Sequence, residues 1–170
     1  LQAITDFEQL FLSDTPMLDV RAPIEFNNGA FPCSVNAPLM TDAERKAVGT
    51  CYKQHGSDAA LKLGHRLVCG DIKAQRVQQW QDFATKHPDG ILYCFRGGLR
   101  SRIAQQWLGD IGIERPYVEG GYKAMRSYLL EQLHQRVNEG QFILLAGRTG
   151  SGKTEVINAW PHAIDLEGLA

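Results

Sequence analysis

Apolar positions recur along this chain in two rhythms, one helical and one extended. Ile4, Phe7, Leu10 and Phe11 stand at helical spacing, so Thr5 to Leu12 reads as a short amphipathic helix. Met17-Leu18-Asp19-Val20 comes after Pro16 as a short strand that ends in a charged pair with Arg21. Pro23-Ile24-Glu25-Phe26 starts a turn of helix, which Asn27-Asn28-Gly29 breaks. Val35-Asn36-Ala37-Pro38 reads as an edge strand, because Pro38 cannot donate to a ladder. Residues 41–67 and 71–87 form two helical stretches, the first interrupted near Gly49 and Gly56. Trp80 and Phe83 mark the core face of the second, and His87-Pro88-Asp89-Gly90 stops it. Ile91-Leu92-Tyr93-Cys94 is apolar throughout, as a parallel strand covered on both faces must be. A glycine-arginine loop leads into a helix from Ser101 to Leu108. Tyr117-Val118 is a further strand that ends at Gly120-Gly121, and a helix from Tyr122 to Val137 is terminated by Asn138-Glu139-Gly140. Phe142 through Ala146 is a continuous apolar strand feeding Gly147 through Thr154, then a helix that Pro161 stops. Strands alternating with helices predict an α/β fold with a parallel sheet flanked by helices.

Composition narrows the classes without choosing among them. The 170 residues are 44% hydrophobic and 22% charged, enough apolar content to build a core and to exclude wholesale disorder. No apolar run reaches the roughly 18 residues of a spanning helix, so no membrane role is expected. Leu1 through Asp6 lacks the basic region and adjoining apolar stretch of a signal peptide, and the expected compartment is the cytoplasm. The net charge of −1 hides a split: seven acidic residues up to Glu44 face Arg21 alone, for −6, and the remaining 126 residues sum to +5. Cys33, Cys51, Cys69 and Cys94 are 18, 18 and 25 residues apart, with no CxxC pair. Neither a zinc site nor a disulfide framework is expected from that spacing. Cys33 and Cys69 read as small buried hydrophobes. Cys51 reads the same way, with a redox role kept open.

Cys94 is set apart by the residues after it, Phe95-Arg96-Gly97-Gly98-Leu99-Arg100-Ser101-Arg102. A loop between a buried strand and a helix N-terminus converges its backbone N–H groups on one point and binds anions there. Gly97 and Gly98 allow the tight curl. The helix dipole, with Arg96 and Arg100, would favour the thiolate. A thiolate in a cradle of donors is a nucleophile facing an oxyanion or a chalcogen-bearing group.

Here the chain resembles the rhodanese sulfurtransferases. Asp19-Val20-Arg21, Glu25-Phe26, Gly29-Ala30 and Asn36-Ala37-Pro38 are similar to that family's opening signature. Tyr93-Cys94 and the adjoining loop resemble its active-site loop, and Glu119-Gly120-Gly121 its closing glycine pair. The resemblance implies a cysteine that carries a persulfide. Usual rhodaneses place the loop arginine five residues after the cysteine, whereas Arg100 is six after Cys94. That C-x5-R spacing is shared with cysteine phosphatases, so phosphatase chemistry stays open on the loop alone. The wider ring suits a phosphate-bearing donor.

Gly147-Arg148-Thr149-Gly150-Ser151-Gly152-Lys153-Thr154 fits the P-loop pattern in full, with an apolar strand expected before it and a helix after it. Its N–H groups would wrap a diphosphate, Lys153 would reach the outer oxygens, and Thr154 would be the Mg²⁺ ligand. Asp165 or Glu167 is a candidate acidic partner, with a solvated turn the alternative for both. Only 16 residues come after Thr154, so this domain is expected to be incomplete, with 1–137 as a rhodanese-like domain and 138–170 as the start of the P-loop domain.

A rhodanese-like domain joined to a P-loop resembles the bacterial tRNA 2-selenouridine synthase family over essentially the whole chain. The resemblance extends to Gly49 through Gln54, Gly56 through Ala60, Leu63-Gly64-His65, Val118 through Arg126 and Asp165 through Ala170. Family members are about twice this length, so the chain reads as an N-terminal portion that would not complete the reaction alone. The family acts on tRNA carrying 2-thiouridine at the wobble position. It attaches a geranyl group to the sulfur from geranyl diphosphate and then replaces the geranylthio group with selenium from selenophosphate. The resemblance implies no tightly bound cofactor and no resident metal, with Mg²⁺ at Thr154 kept open, and allows a selenophosphate-producing enzyme as partner. Cys94 would handle selenium. Arg96, Gly97, Gly98, Leu99, Arg100 and Ser101 would cradle its donor, and Gly147 through Thr154 would grip the prenyl diphosphate. Residues 45–87 carry eight basic and three acidic groups. Lys53, Lys62, Arg66, Lys73, Arg76, Lys123 and Arg126 are candidates for holding tRNA phosphates, with ordinary solvated helix faces the alternative for each. Besides this transferase reading, a sulfurtransferase, a C-x5-R phosphatase and a non-catalytic carrier-docking module remain open.

Overall fold

The structure is a computed structural model that describes residues 3–166 and residue 168. The chain divides into two compact units, Leu1–Gln132 and Leu133–Ala170.

The first unit is built on a five-stranded parallel sheet. Its strands are β1 (Ala3–Ile4), β2 (Met17–Asp19), β3 (Ser34–Asn36), β4 (Ile91–Tyr93) and β5 (Tyr117–Val118), in the order β1-β5-β4-β2-β3. Between them run α1 (Phe7–Leu12), α2 (Pro23–Asn27), α3 (Asp42–Leu67), α4 (Gly70–Lys86) and α5 (Leu99–Gly109), and α6 (Gly121–Glu139) begins after β5 and crosses the division. Period-2 alternation along the strands explains the layering. Leu18, Val20, Leu92 and Cys94 pack with Trp80 and Phe83 of α4 and with Ala104, Trp107 and Leu108 of α5. Met17, Ile91, Tyr93 and Val118 pack instead with Leu10 of α1, Phe31 and Met125 of α6. A sheet covered on both faces needs the uninterrupted apolar strand that Ile91-Leu92-Tyr93 provides.

Local chemistry sets the helix boundaries. Asp6 caps α1 by accepting from the Gln9 amide at 3.0 Å. Thr41 and Glu44 form a reciprocal capping box at the start of α3, with Thr41 N to Glu44 Oε2 at 2.7 Å and Glu44 N to Thr41 Oγ1 at 3.3 Å. Gly56 breaks the α3 path with φ of 82°. Gly49 does not interrupt it, since a lone glycine only weakens a helix while ordinary φ is kept. β1 was not expected; two residues carry no periodic signal, and their pairing to β5 alone defines the strand. The helix after the Cys94 loop starts at Leu99, two residues earlier than the sequence predicts.

In the second unit the expected strand over Phe142–Ala146 is not formed among the described residues. A strand is defined by ladder partners, and none of the five paired strands pairs with this run. α7 (Lys153–Ala159) comes after the glycine-rich loop as expected.

Candidate functional site: two loops after apolar runs

β4 lies between β2 and β5, where chain connections leave the sheet in opposite directions. The carboxyl ends of strands at such a switch point are where open parallel sheets hold ligands. Cys94 emerges there, directly after β4, and the loop reaches α5 within five residues. Its conformation depends on a face-to-face contact of glycines. Gly97 has φ of 59°, and a Cβ there would lie 2.4 Å from the Val118 carbonyl oxygen; Gly121 has φ of 57°, and its Cβ would lie 2.2 Å from the Cys94 carbonyl oxygen. No side chain fits either position without moving backbone. The Tyr122 and Lys123 amides then donate to the Cys94 and Phe95 carbonyls at 2.9 and 3.0 Å. The closing glycine pair thus seats the active loop on the start of α6.

The opening signature supports the same loop from the other side. Asp19 and Arg21 form a buried pair, with Arg21 Nη2 to Asp19 Oδ2 at 2.6 Å and both side chains essentially inaccessible. Burial opposes the Arg21 charge, but the hydrogen bonds and charge of Asp19 outweigh it and raise the guanidinium above its usual value. Arg21 also donates to the Gly29 carbonyl at 2.8 Å and lies 4.0 Å from the Tyr122 ring centroid. Tyr122 in turn stacks on Phe95 of the loop. Tyr93 is held neutral, its phenol pushed well above the usual range by burial and then by Asp19, while its hydroxyl bonds Ser34 Oγ at 3.0 Å.

Arg100 is held by Glu25 through a two-point contact, Nη1 to Oε2 at 2.7 Å and Nη2 to Oε1 at 3.3 Å. Arg45 adds a third contact, Nε to Glu25 Oε2 at 2.9 Å. Burial works to raise the Glu25 carboxyl; the bonds and charge of Arg100, the Ala22 amide and Arg45 together overcome it and hold the carboxyl below its usual value. The role of Glu25 in placing Arg100 was not foreseen, since the two residues are 75 positions apart. Arg96 is exposed and makes no ion pair among the described residues. Leu99 is exposed, Gly98 half-buried, and Ser101 fully buried with its Oγ lacking a hydrogen-bond partner. An orphaned buried hydroxyl is costly, so this one is open to a partner, whether a water or a ligand. Cys94 is 2% exposed, packed in the core cluster.

In the second unit the 147–154 loop curls around Lys153. Its ammonium donates to the Gly147 and Arg148 carbonyls at 2.9 and 3.0 Å, and Gly150 and Gly152 have φ of 79° and 78°. Thr149, Ser151 and Thr154 are exposed. Asp165 accepts from the Gly168 amide at 3.2 Å in a local turn, and Glu167 lies outside the described residues, as do Leu169 and Ala170. No group of three or more His, Cys, Asp or Glu side chains suited to a metal ion occurs among the described residues.

Several expected features are arranged differently. Cys69 is exposed at the start of α4, its thiol donating to the Arg66 carbonyl at 3.1 Å, and Cys33 is half-buried rather than enclosed. Burial, then Asp14, pushes the Cys33 thiol up. Cys51 is half-buried. Lys73 covers the Trp107 ring, 4.5 Å from its centroid, and Arg76 lies 3.9 Å from Glu44, so both have partners within the unit. Lys53, Lys62 and Arg66 on α3, and Lys123 and Arg126 on α6, are exposed. No helix among the described residues is long and apolar enough to cross a membrane.

A five-stranded parallel sheet flanked by helices, with a cysteine delivered from its central strand into a glycine-arginine loop, defines the first unit as a parallel α/β domain with its candidate site at the carboxyl end of that strand. Comparison with known proteins is more particular. Over nearly its whole length the chain is homologous to proteins named tRNA 2-selenouridine synthase. It is 61% identical to that of Azotobacter vinelandii over 97% of this chain and 45% of the relative. It is 60% identical to that of Pseudomonas fluorescens over 98% of this chain and 46% of the relative. The chain thus spans under half the length of these relatives. The family profile described as the tRNA 2-selenouridine synthase AAA domain matches residues 140–170. Among solved structures, the N-terminal domain of a Clostridium difficile 630 protein named "putative ATP/GTP binding protein" is 29% identical, with a TM-score of 0.64 over 76% of this chain and 99% of that one.

Proposed function

We propose that this chain supplies the selenium-exchange domain and the start of the diphosphate-binding domain of a transferase that converts wobble 2-thiouridine in tRNA to 2-selenouridine. The observation that carries the reading is its 57% identity or better, across both loops, to relatives bearing that enzyme name. In the first step the uridine sulfur attacks the first carbon of geranyl diphosphate, the carbon–oxygen bond breaks, and diphosphate leaves. The N–H groups of the 147–154 loop hold that diphosphate, with Lys153 neutralising the charge that grows on the leaving oxygens. Mg²⁺, where it accompanies the diphosphate, would be held by Thr154. In the second step selenium enters at the uridine C2, the C2–sulfur bond breaks with its electron pair, and geranylthiol departs. Water takes the phosphoryl group of selenophosphate. The Cys94 loop receives the selenium donor: Arg96 and the N–H groups of 97–99 face its phosphate, Glu25 holds Arg100 in register, and the Ser101 hydroxyl has an unfilled bond to give. The exposed Lys53, Lys62, Arg66, Lys123 and Arg126 offer tRNA its phosphate contacts. The enzyme acts in the cytoplasm, beside the selenophosphate-producing enzyme that supplies its donor.

The P-loop assignment is tested by binding to a chain extended after residue 170 with the remainder of the Azotobacter vinelandii relative. Geranyl diphosphate binds more tightly than ATP, and Lys153→Ala weakens that binding about tenfold or more. Tight ATP binding with no affinity for the prenyl diphosphate would contradict the assignment.

A further inference from the structure

A cavity of about 880 Å³ opens in the first unit between α3 and the start of α5. That lies within the roughly 300–1,000 Å³ common for small-molecule sites. One wall belongs to the Cys94 loop and the helix after it, through Arg96, Leu99, Arg100 and Ile103. The surface is mostly apolar, and Tyr52, Leu61 and Leu99 line it while remaining among the exposed large hydrophobic residues of the chain. Gly49 and Gly64, both inside α3, line it too. A Cβ at Gly49 would meet nothing within 4 Å, and one at Gly64 would touch only the Val48 side chain at 3.9 Å. Neither glycine is required by backbone conformation, and glycine is a poor helix former. What the pair provides is open volume.

Charge completes the description. The lining includes Arg45, Lys46, Lys53, Arg96 and Arg100 and no acidic residue. Glu25 neutralises Arg45 and Arg100 from behind. Lys46, Lys53 and Arg96 make no ion pair among the described residues. An apolar hollow with an unpaired cationic rim complements a molecule with an apolar chain and an adjoining anionic group.

We propose that this cavity binds the hydrocarbon chain of an S-prenylated nucleotide, with the nucleotide's phosphate on the Lys46 and Lys53 rim and Arg96 left to the selenium donor. The identity of the chain as geranyl rests on the proposed function; the cavity's preference for an amphipathic anion does not. Placing the chain here brings the carbon–sulfur bond to be broken next to the Cys94 loop, and it separates the site that holds the geranyl group during its loss from the loop that holds its diphosphate during its attachment.

The test is calorimetric titration of this chain with 2-thiouridine 5′-monophosphate and with its S-geranyl derivative. The S-geranyl compound binds at least about tenfold more tightly. Gly49→Leu, which fills the hollow, and Leu61→Asp, which places a charge at its mouth on an already exposed residue, each remove that preference while circular dichroism remains that of the parent chain. Lys153→Ala retains it. Equal affinity for the two nucleotides, or a preference untouched by both cavity variants, overturns the proposal. A preference abolished by Lys153→Ala also overturns it, placing the prenyl chain in the second unit, and that result would leave the proposed transferase reading standing.

Discussion

Two apolar runs in this chain look alike as sequence and fare differently as structure. Ile91-Leu92-Tyr93 is a buried strand whose residues are at most 2% exposed. Ile143 and Leu144 are 89% and 85% exposed, with no strand formed around them. Hydrophobicity and length do not separate the two. β4 has β2 and β5 to complete its ladder and helices to cover both faces, whereas residues 142–146 have neither within the described residues. An apolar run specifies a strand only where neighbours accept its backbone bonds. The loop after each run inherits the difference. The Cys94 loop is clamped by the Gly97–Gly121 contact and the Glu25–Arg100 bridge, and the 147–154 loop is closed mainly by its own lysine on its own carbonyls.

The sharpest way to break this comparison is to cut equally into both runs. Leu92→Ala leaves a cavity beside the main core and lowers the stability of the first unit by about 2–5 kcal/mol. Leu144→Ala changes unfolding by no more than about 0.5 kcal/mol, as expected of an exposed side chain. Urea unfolding of the two variants measures both, and equal losses would mean that the second run is packed as well as the first.

A smaller effect separates the two loops by pH. The Glu25 carboxyl is held below its ordinary value of 4.5 in the folded chain. Its contribution is therefore fully present above the unfolded value and is lost as pH falls through the depressed folded value. Wild type is more stable than Glu25→Gln at pH 6, and the difference closes as the pH falls below the ordinary carboxylate value and through the lower folded one. A gap that persisted undiminished at low pH would show that Glu25 acts through packing, not charge.

Much of the first unit was legible because strong local signals coincide with tertiary need. Pro23 and His87-Pro88-Asp89-Gly90 bound helices where the chain places them. Cys94 and its glycines could be read as a strand–loop–helix site because all the parts are consecutive. What was illegible depends on distance along the chain. Glu25 lies far from Arg100, β1 exists only by pairing with β5, and the cavity joins residues between Leu39 and Trp107. Cys69 was expected inside, yet it falls at the exposed junction of α3 and α4, since composition does not say which way a helix corner faces.

The central claim, that the first unit carries selenium exchange through Cys94 while the second serves prenyl transfer, is tested most directly by mass spectrometry of thiolated tRNA. The tRNA is incubated with geranyl diphosphate, selenophosphate and the extended chain, with and without Cys94→Ala. The variant should accumulate S-geranyl-2-thiouridine and form no 2-selenouridine; equal selenouridine from both proteins would contradict the account.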